Sequence, residues 1–199
     1  MENTDKQIID RIDKAAAQTI FFTEDFRELG TPEAVKVALH RIVKRNILHR
    51  LSRGIYAKPE YSKLLEMEVN PGAEAVAKAI AKRDRAKIIP TGVYALNALG
   101  LSTQVPMNFV YLTDGEPRKI KVGKATIKFK RTTPRNLSYK SELCMLVVQA
   151  LKEIGNGKVT GEEEKKLKGF LRNVDYNELK HDIALAPQWI AEIMAKVLT

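Results

Sequence analysis

The sequence is short of the residues on which most catalytic and metal chemistry depends. It has one cysteine and three histidines in 199 residues. A single cysteine, Cys144, excludes an internal disulfide and fits a reducing cytoplasm. It lies in the apolar stretch ELCMLVVQAL, which points to a buried, inert thiol rather than a nucleophile. His40, His49 and His181 lack the spacing of a metal-ligand set, so neither metal nor cofactor is expected. No apolar run approaches the ~20 residues that span a bilayer. The opening MENTDKQIID is polar and acidic, unlike a secretory signal, so a cytoplasmic location without membrane contact is expected.

Acid is also missing where an enzyme would need it. Asp114 at a strand end invites comparison with metal-dependent nucleases, whose sites need further carboxylates to hold Mg²⁺. No Asp or Glu occurs between residues 117 and 141. P-loop, dinucleotide-glycine and Ser/His/Asp patterns are absent as well, so no catalysis is expected.

What the chain has is segregated positive charge. Its net charge is +10, yet residues 32–58 alone carry 7 basic side chains against 1 acidic, and residues 116–140 carry 9 against 1. Residues 1–31 are acidic, with 4 basic and 7 acidic side chains. Charge concentrated in two short segments suits a polyanionic partner better than the same charge spread evenly. With 44% hydrophobic and 29% charged residues, the chain otherwise reads as a soluble globular protein.

The expected organisation is α+β in two domains, 1–60 and 72–199, joined by a linker at 61–71 that has room for one helical turn at SKLLEM. Thr4-Asp5-Lys6-Gln7 has the form of a capping box opening a first helix. TIFF (19–22) is β-prone, and Thr23 can cap a short helix, EDFREL, that stops at Gly30. Thr31-Pro32 then starts a helix running to about Asn46. Helices joined by so short a turn must cross steeply, as in a helix-turn-helix. Ile47–Leu51 and Ile55–Lys58 read as strands around Ser52-Arg53-Gly54. Helix, strand, helix, helix, strand, strand is the order of a winged helix.

In the second domain a helix at 73–85 is followed by a short strand at 87–89 and a helix capped by Thr91 and ended by Gly100. NFVYLTD, PRKIKVG and ATIKFKR then suggest an antiparallel meander. Three further helices are expected after Tyr139, from SELCMLVVQALKEI, EEEKKLKGFL and PQWIAEIMAKVL.

Helical angles divide the basic helix. Val35, Ala38, Leu39, Ile42 and Asn46 share the side expected to pack inward. Glu33, Lys36, Val37, His40, Arg41 and Lys44, flanked by Arg45, share the other, with Arg50 and Arg53 on or near the following hairpin. Such a face suits a major groove: Lys and Arg for phosphates or guanine edges, Val37 for a thymine methyl. A solvated helix and a protein-contact winged helix are the alternatives. A second patch, Arg118, Lys119, Lys121, Lys128, Lys130 and Arg131, reads equally well as a second nucleic-acid or acidic-protein contact or as a solvated face whose lysines discourage edge pairing.

Two stretches resemble the AbiEi-type antitoxins and a related family of small bacterial proteins of unassigned function. They are FFTEDFRELGTPEAVKVALHRIVKRNILHRLSRGIYAKP and IIPTGVYALNALGLSTQVPMNFVYLTDGEPRKIKVGKATIKFKR, with LSRGIY and PTGVYALNALGLS the more specific parts. The resemblance covers about residues 5–198. It implies a toxin–antitoxin system of type IV. Its winged helix would bind operator DNA and repress its own operon; a palindromic operator would need two copies, as a dimer or bound cooperatively. Its second domain would neutralise a nucleotidyltransferase toxin. By position, recognition falls on Lys36, His40, Arg41, Lys44 and Arg45, the wing on Arg50 and Arg53, and the antitoxin role on the segment with Thr91, Tyr94 and Asn97. The rival expectation is a non-catalytic adaptor for an acidic partner.

Overall fold

The computed structural model describes residues 2–104 and 106–198. It is α+β and divides into two units, Met1–Ile80 with Lys121–Lys124, and Ala81–Ile120 with Ala125–Thr199.

In the first unit, helix α1 (Glu2–Asp13) buries Ile8 and Ile12. It starts before Thr4, so the Thr4–Gln7 capping box is not used. Instead Thr4 lies against Gly30, where an added Cβ would come within 3.1 Å of the Thr4 hydroxyl. Strand β1 (Ile20–Phe22) leads into a 3₁₀ turn (Thr23–Leu29) that buries Phe26. Here Asp25, not Thr23, supplies the cap: its carboxylate accepts the Phe22 N–H at 2.7 Å, as an acid three residues into a helical turn can do.

Helix α2 (Pro32–Lys44) begins as its sequence dictates, with the Thr31 hydroxyl accepting the Ala34 N–H at 3.2 Å and proline in the first turn. Val35, Ala38, Leu39 and Ile42 are buried together with Ile8, Ile12, Phe21, Phe26 and Leu48. Each of these side chains other than Ala38 contributes about 1.5–3 kcal/mol by leaving water. The helix ends two residues before the expected Asn46. That residue turns the chain at φ 58° and is exposed rather than inward, because the helical phase that would bury it has stopped. Strands β2 (His49–Ser52) and β3 (Ile55–Ala57) follow, with Gly54 at φ 71° in their turn. The sheet order is β1-β3-β2, antiparallel throughout.

The segment expected as a linker is a hairpin, β4 (Glu60–Ser62) paired antiparallel with β5 (Met67–Val69). A lone turn at SKLLEM cannot repay helix nucleation. The hairpin is instead tied at its base, where His49 meets Asn70 at 2.9 Å and Glu68 at 3.0 Å, and Gln18 donates to Glu60 at 2.5 Å. The division between the units falls later, within α3 (Ala73–Asp84).

The rest of the chain contains β6 (Ile88–Pro90), α4 (Val93–Ala98), β7 (Asn108–Thr113), β8 (Arg118–Val122, its last two residues assigned to the first unit) and β9 (Ala125–Arg131), then α5 (Glu142–Ile154), α6 (Gly161–Leu171), α7 (Tyr176–Leu185) and α8 (Gln188–Ala195). Its sheet order is β6-β7-β9-β8, with β6 antiparallel and β9 parallel to β7, so the expected antiparallel meander is not formed. The two-residue Gly123-Lys124 turn forces β8 and β9 antiparallel. Of these two strands, β9 carries Ile127 and Phe129, both buried, and takes the inner place beside β7. The lysine-bearing β8 is left at the edge, where unpaired backbone groups are best protected by charge.

Thr91 does not cap α4, which starts from Gly92; its hydroxyl donates to the Val110 carbonyl at 3.1 Å. Helices α5 and α6 are capped by Ser141 and Thr160, the latter with Glu163 in a reciprocal box. Helix α7, not foreseen from the sequence, is capped by Asp175, whose carboxylate accepts the Asn177 and Glu178 N–H groups.

Candidate functional site

The outward face of α2 is built by subtraction. Once Val35, Ala38, Leu39 and Ile42 are committed to the core, Lys36, Val37, His40, Arg41 and Lys44 are left together in water, with Arg45 just past the helix end. Val37 is 48% exposed, the one aliphatic side chain among those left in water. Lys36, His40, Lys44, Arg45 and Arg53 form no ion pair or hydrogen bond with another side chain among the described residues. Arg50 donates to the Ser52 carbonyl at 3.4 Å, and Arg53 stands exposed beside Gly54 in the β2–β3 turn. All eight predicted residues therefore remain on the surface of the first unit.

Arg41 is the exception in its bonding. Its guanidinium lies 3.6 Å from the Asp5 carboxylate of α1, with the two side chains 49% and 23% exposed. The pair borders a concavity of about 410 Å³ that Thr4, Glu33, Ala34 and Val37 also line. Asp5 has no signature in the sequence beyond the acidity of the first helix. Only the packing of α1 on α2 brings it to Arg41.

The second basic patch separates into two sets. Lys119, Lys121, Lys128 and Lys130 are exposed at alternate positions of β8 and β9, as a row on one sheet face requires. Arg118 has the opposite parity. It pairs with Asp84 and lies over the Phe129 ring at 5.5 Å from its centroid. Burial, with Arg83 nearby, holds its guanidinium below the ordinary arginine value. Arg131 also has the opposite parity and lines a separate concavity with Lys87, Asp114 and Ser138. Neither arginine belongs to the lysine row, because strand alternation turns them to the other face.

Thr91, Tyr94 and Asn97 are used internally. Tyr94 packs its ring between Phe109 and Tyr111 at 5.5 and 5.9 Å, and Asn97 donates to the Ser102 and Gln104 carbonyls at 3.2 and 3.1 Å. As for the nucleophile question, Cys144 is fully buried, and burial pushes its thiol up to about 12 against the opposing Ser141 hydrogen bond. Among the described residues no group of three or more His, Cys, Asp or Glu could hold a metal ion. No helix among them is long and apolar enough to cross a membrane.

An α+β chain with a one-sided basic helix beside a small antiparallel sheet is the class that these observations define. The model of a family of unknown function, DUF6088, matches residues 7–179, and the chain belongs to that family. No curated protein matches it.

Proposed function

We propose that the protein is a DNA-binding regulator of antitoxin type, using its first unit as a winged helix on operator DNA. The observation that carries this reading is the division of α2, with four buried apolar side chains on one side and a mostly cationic face, interrupted by the exposed Val37, on the other. The element order around α2, the sheet order β1-β3-β2 and Arg53 at the β2–β3 turn support it. In this reading α2 enters the major groove. Lys36, Lys44 and Arg45 contact phosphates, Val37 meets a thymine methyl and Arg41 faces a guanine edge. Arg50 and Arg53 hold the flanking backbone. Two copies, as a dimer or bound cooperatively, would read a palindromic operator.

The antitoxin half of the proposal rests on the resemblance of the sequence to AbiEi-type proteins. Since Thr91, Tyr94 and Asn97 are occupied internally, their part in it is to hold the α4 segment in shape. No catalytic role is proposed for either unit.

The test is a mobility-shift and footprinting series on the protein's own promoter. A protected site is expected, and Arg41→Ala should cost about 1–3 kcal/mol at one base position while relaxing specificity there. A protein that fails to shift promoter DNA at moderate salt would be an adaptor for an acidic partner instead. Co-expression with a nucleotidyltransferase encoded beside it tests the antitoxin half, with restored growth as the expected result.

A further inference from the structure

The Asp5–Arg41 pair makes an odd feature on a surface proposed to bind a polyanion. An unpaired arginine on such a surface is most readily spent on a phosphate, which gives affinity without sequence information. Here the guanidinium faces a carboxylate at 3.6 Å, and Glu33 adds a second carboxylate to the same concavity. A phosphate brought to this point would meet two acids. The edge of a guanine carries no net charge and offers two acceptors, O6 and N7, to the free side of the fork. Asp5 is also the more enclosed of the two, 23% exposed against 49%, so it is the fixed member that sets where the guanidinium lies.

Resting on the DNA-binding reading above, we propose that Asp5 is a specificity-determining residue. It positions Arg41 and neutralises it toward phosphate, so that Arg41 reads a guanine rather than the backbone. The cationic face of α2 is thereby divided. Lys36, Lys44 and Arg45 supply salt-dependent affinity, while Arg41 supplies discrimination with little counterion release. Asp5 acts through Arg41 and needs no contact with DNA.

The test uses the full chain and four variants, Asp5→Asn, Asp5→Glu, Arg41→Ala and Lys36→Ala. Each is checked for native circular dichroism and then selected against a randomised duplex library. Affinity is measured against salt on the selected duplex and on a scrambled one. The wild type is expected to enrich a guanine that Arg41→Ala no longer selects. Asp5→Asn should lose about tenfold of that preference, bind the scrambled duplex more tightly, and steepen the salt slope by about one phosphate contact. Asp5→Glu, which keeps the charge, should keep the wild-type slope. Lys36→Ala should flatten the slope without changing the selected bases.

A wild type that enriches no sequence and binds neither duplex would overturn the DNA-binding reading, and this inference with it. Selective binding with Asp5→Asn unchanged in both base preference and slope would overturn this inference alone. So would an Asp5→Glu variant that is as steep as Asp5→Asn.

Discussion

A lysine ammonium has three protons to donate, and Lys58 directs them to the carbonyls of Ile12, Asp13 and Ala15 at 3.0, 3.2 and 2.8 Å. These oxygens belong to the last turn of α1 and the residues just after it, where carbonyls lack helical partners and the dipole favours a cation. Lys58→Met keeps the apolar stem and removes the donors, so a loss of about 1.5–3 kcal/mol is expected in urea unfolding, in line with charged hydrogen bonds. Two weak acids of the second unit, the buried Cys144 and the half-buried Tyr139, make a prediction in pH. Burial pushes both Tyr139 and Cys144 up to about 12, with Asp182 raising Tyr139 further. The folded state therefore keeps protons that the unfolded chain gives up near pH 9 to 10. Their contribution is constant below that range and is lost as pH rises from about 9 to 12. Cys144→Ala should blunt this alkaline loss of stability, measured by denaturant titration at several pH values. In native protein at pH 8 the thiol should react with a disulfide reagent only as fast as the unit unfolds.

At the scale of elements, junctions matter more than the helices they join. Asp182 of α7 is fully buried, and its two oxygens accept the Lys140 and Ser141 N–H groups at 2.9 Å, while His181 Nδ1 lies 2.9 Å from the same carboxylate. It thus serves the start of α5 from another helix. Asp182→Ala should cost about 2–4 kcal/mol, since it leaves the buried Ser141 N–H and the half-buried Lys140 N–H without an acceptor. The Gly30–Thr4 contact is a steric junction. A methyl at Gly30 would crowd Thr4 at 3.1–3.2 Å, so Gly30→Ala should destabilise by about 1 kcal/mol. Thr4→Ala made together with it should recover most of that loss, and a double-mutant cycle measures the coupling. How much of these elements could be read in advance depended on whether their signals were local. Thr31-Pro32, Gly54, Ser141 and the Thr160–Glu163 box act within three or four residues, and each does what its type and position imply. The β7–β9 pairing joins strands whose order depends on which is more apolar and on what each must cover, and the sequence does not order them.

For the whole molecule, the net charge of +10 makes a statement about affinity rather than fold. If Lys36, Lys44, Arg45, Arg50 and Arg53 each neutralise one phosphate and Arg41 does not, the log–log salt slope should be roughly −4 to −5. Replacing Lys119, Lys121, Lys128 and Lys130 together by alanine should leave that slope unchanged if the row is a solvated sheet face. A slope flatter by three or four would make the row part of the same DNA contact, and the measurement is a fluorescence-anisotropy titration at five salt concentrations.

The sequence by itself determined the outward face of α2. Helical period fixes which side chains share a side, and the apolar ones must turn inward whatever they meet, so Lys36, Val37, His40, Arg41 and Lys44 were legible without a structure. It likewise determined the α+β class and the position of the β2–β3 turn. The tertiary structure alone decided that Asp5 stands beside Arg41, that Arg118 meets Asp84, and that β9 lies parallel to β7. These are meetings of residues far apart in the chain. They are set by how packed faces and strand edges compete for partners, which no local pattern encodes.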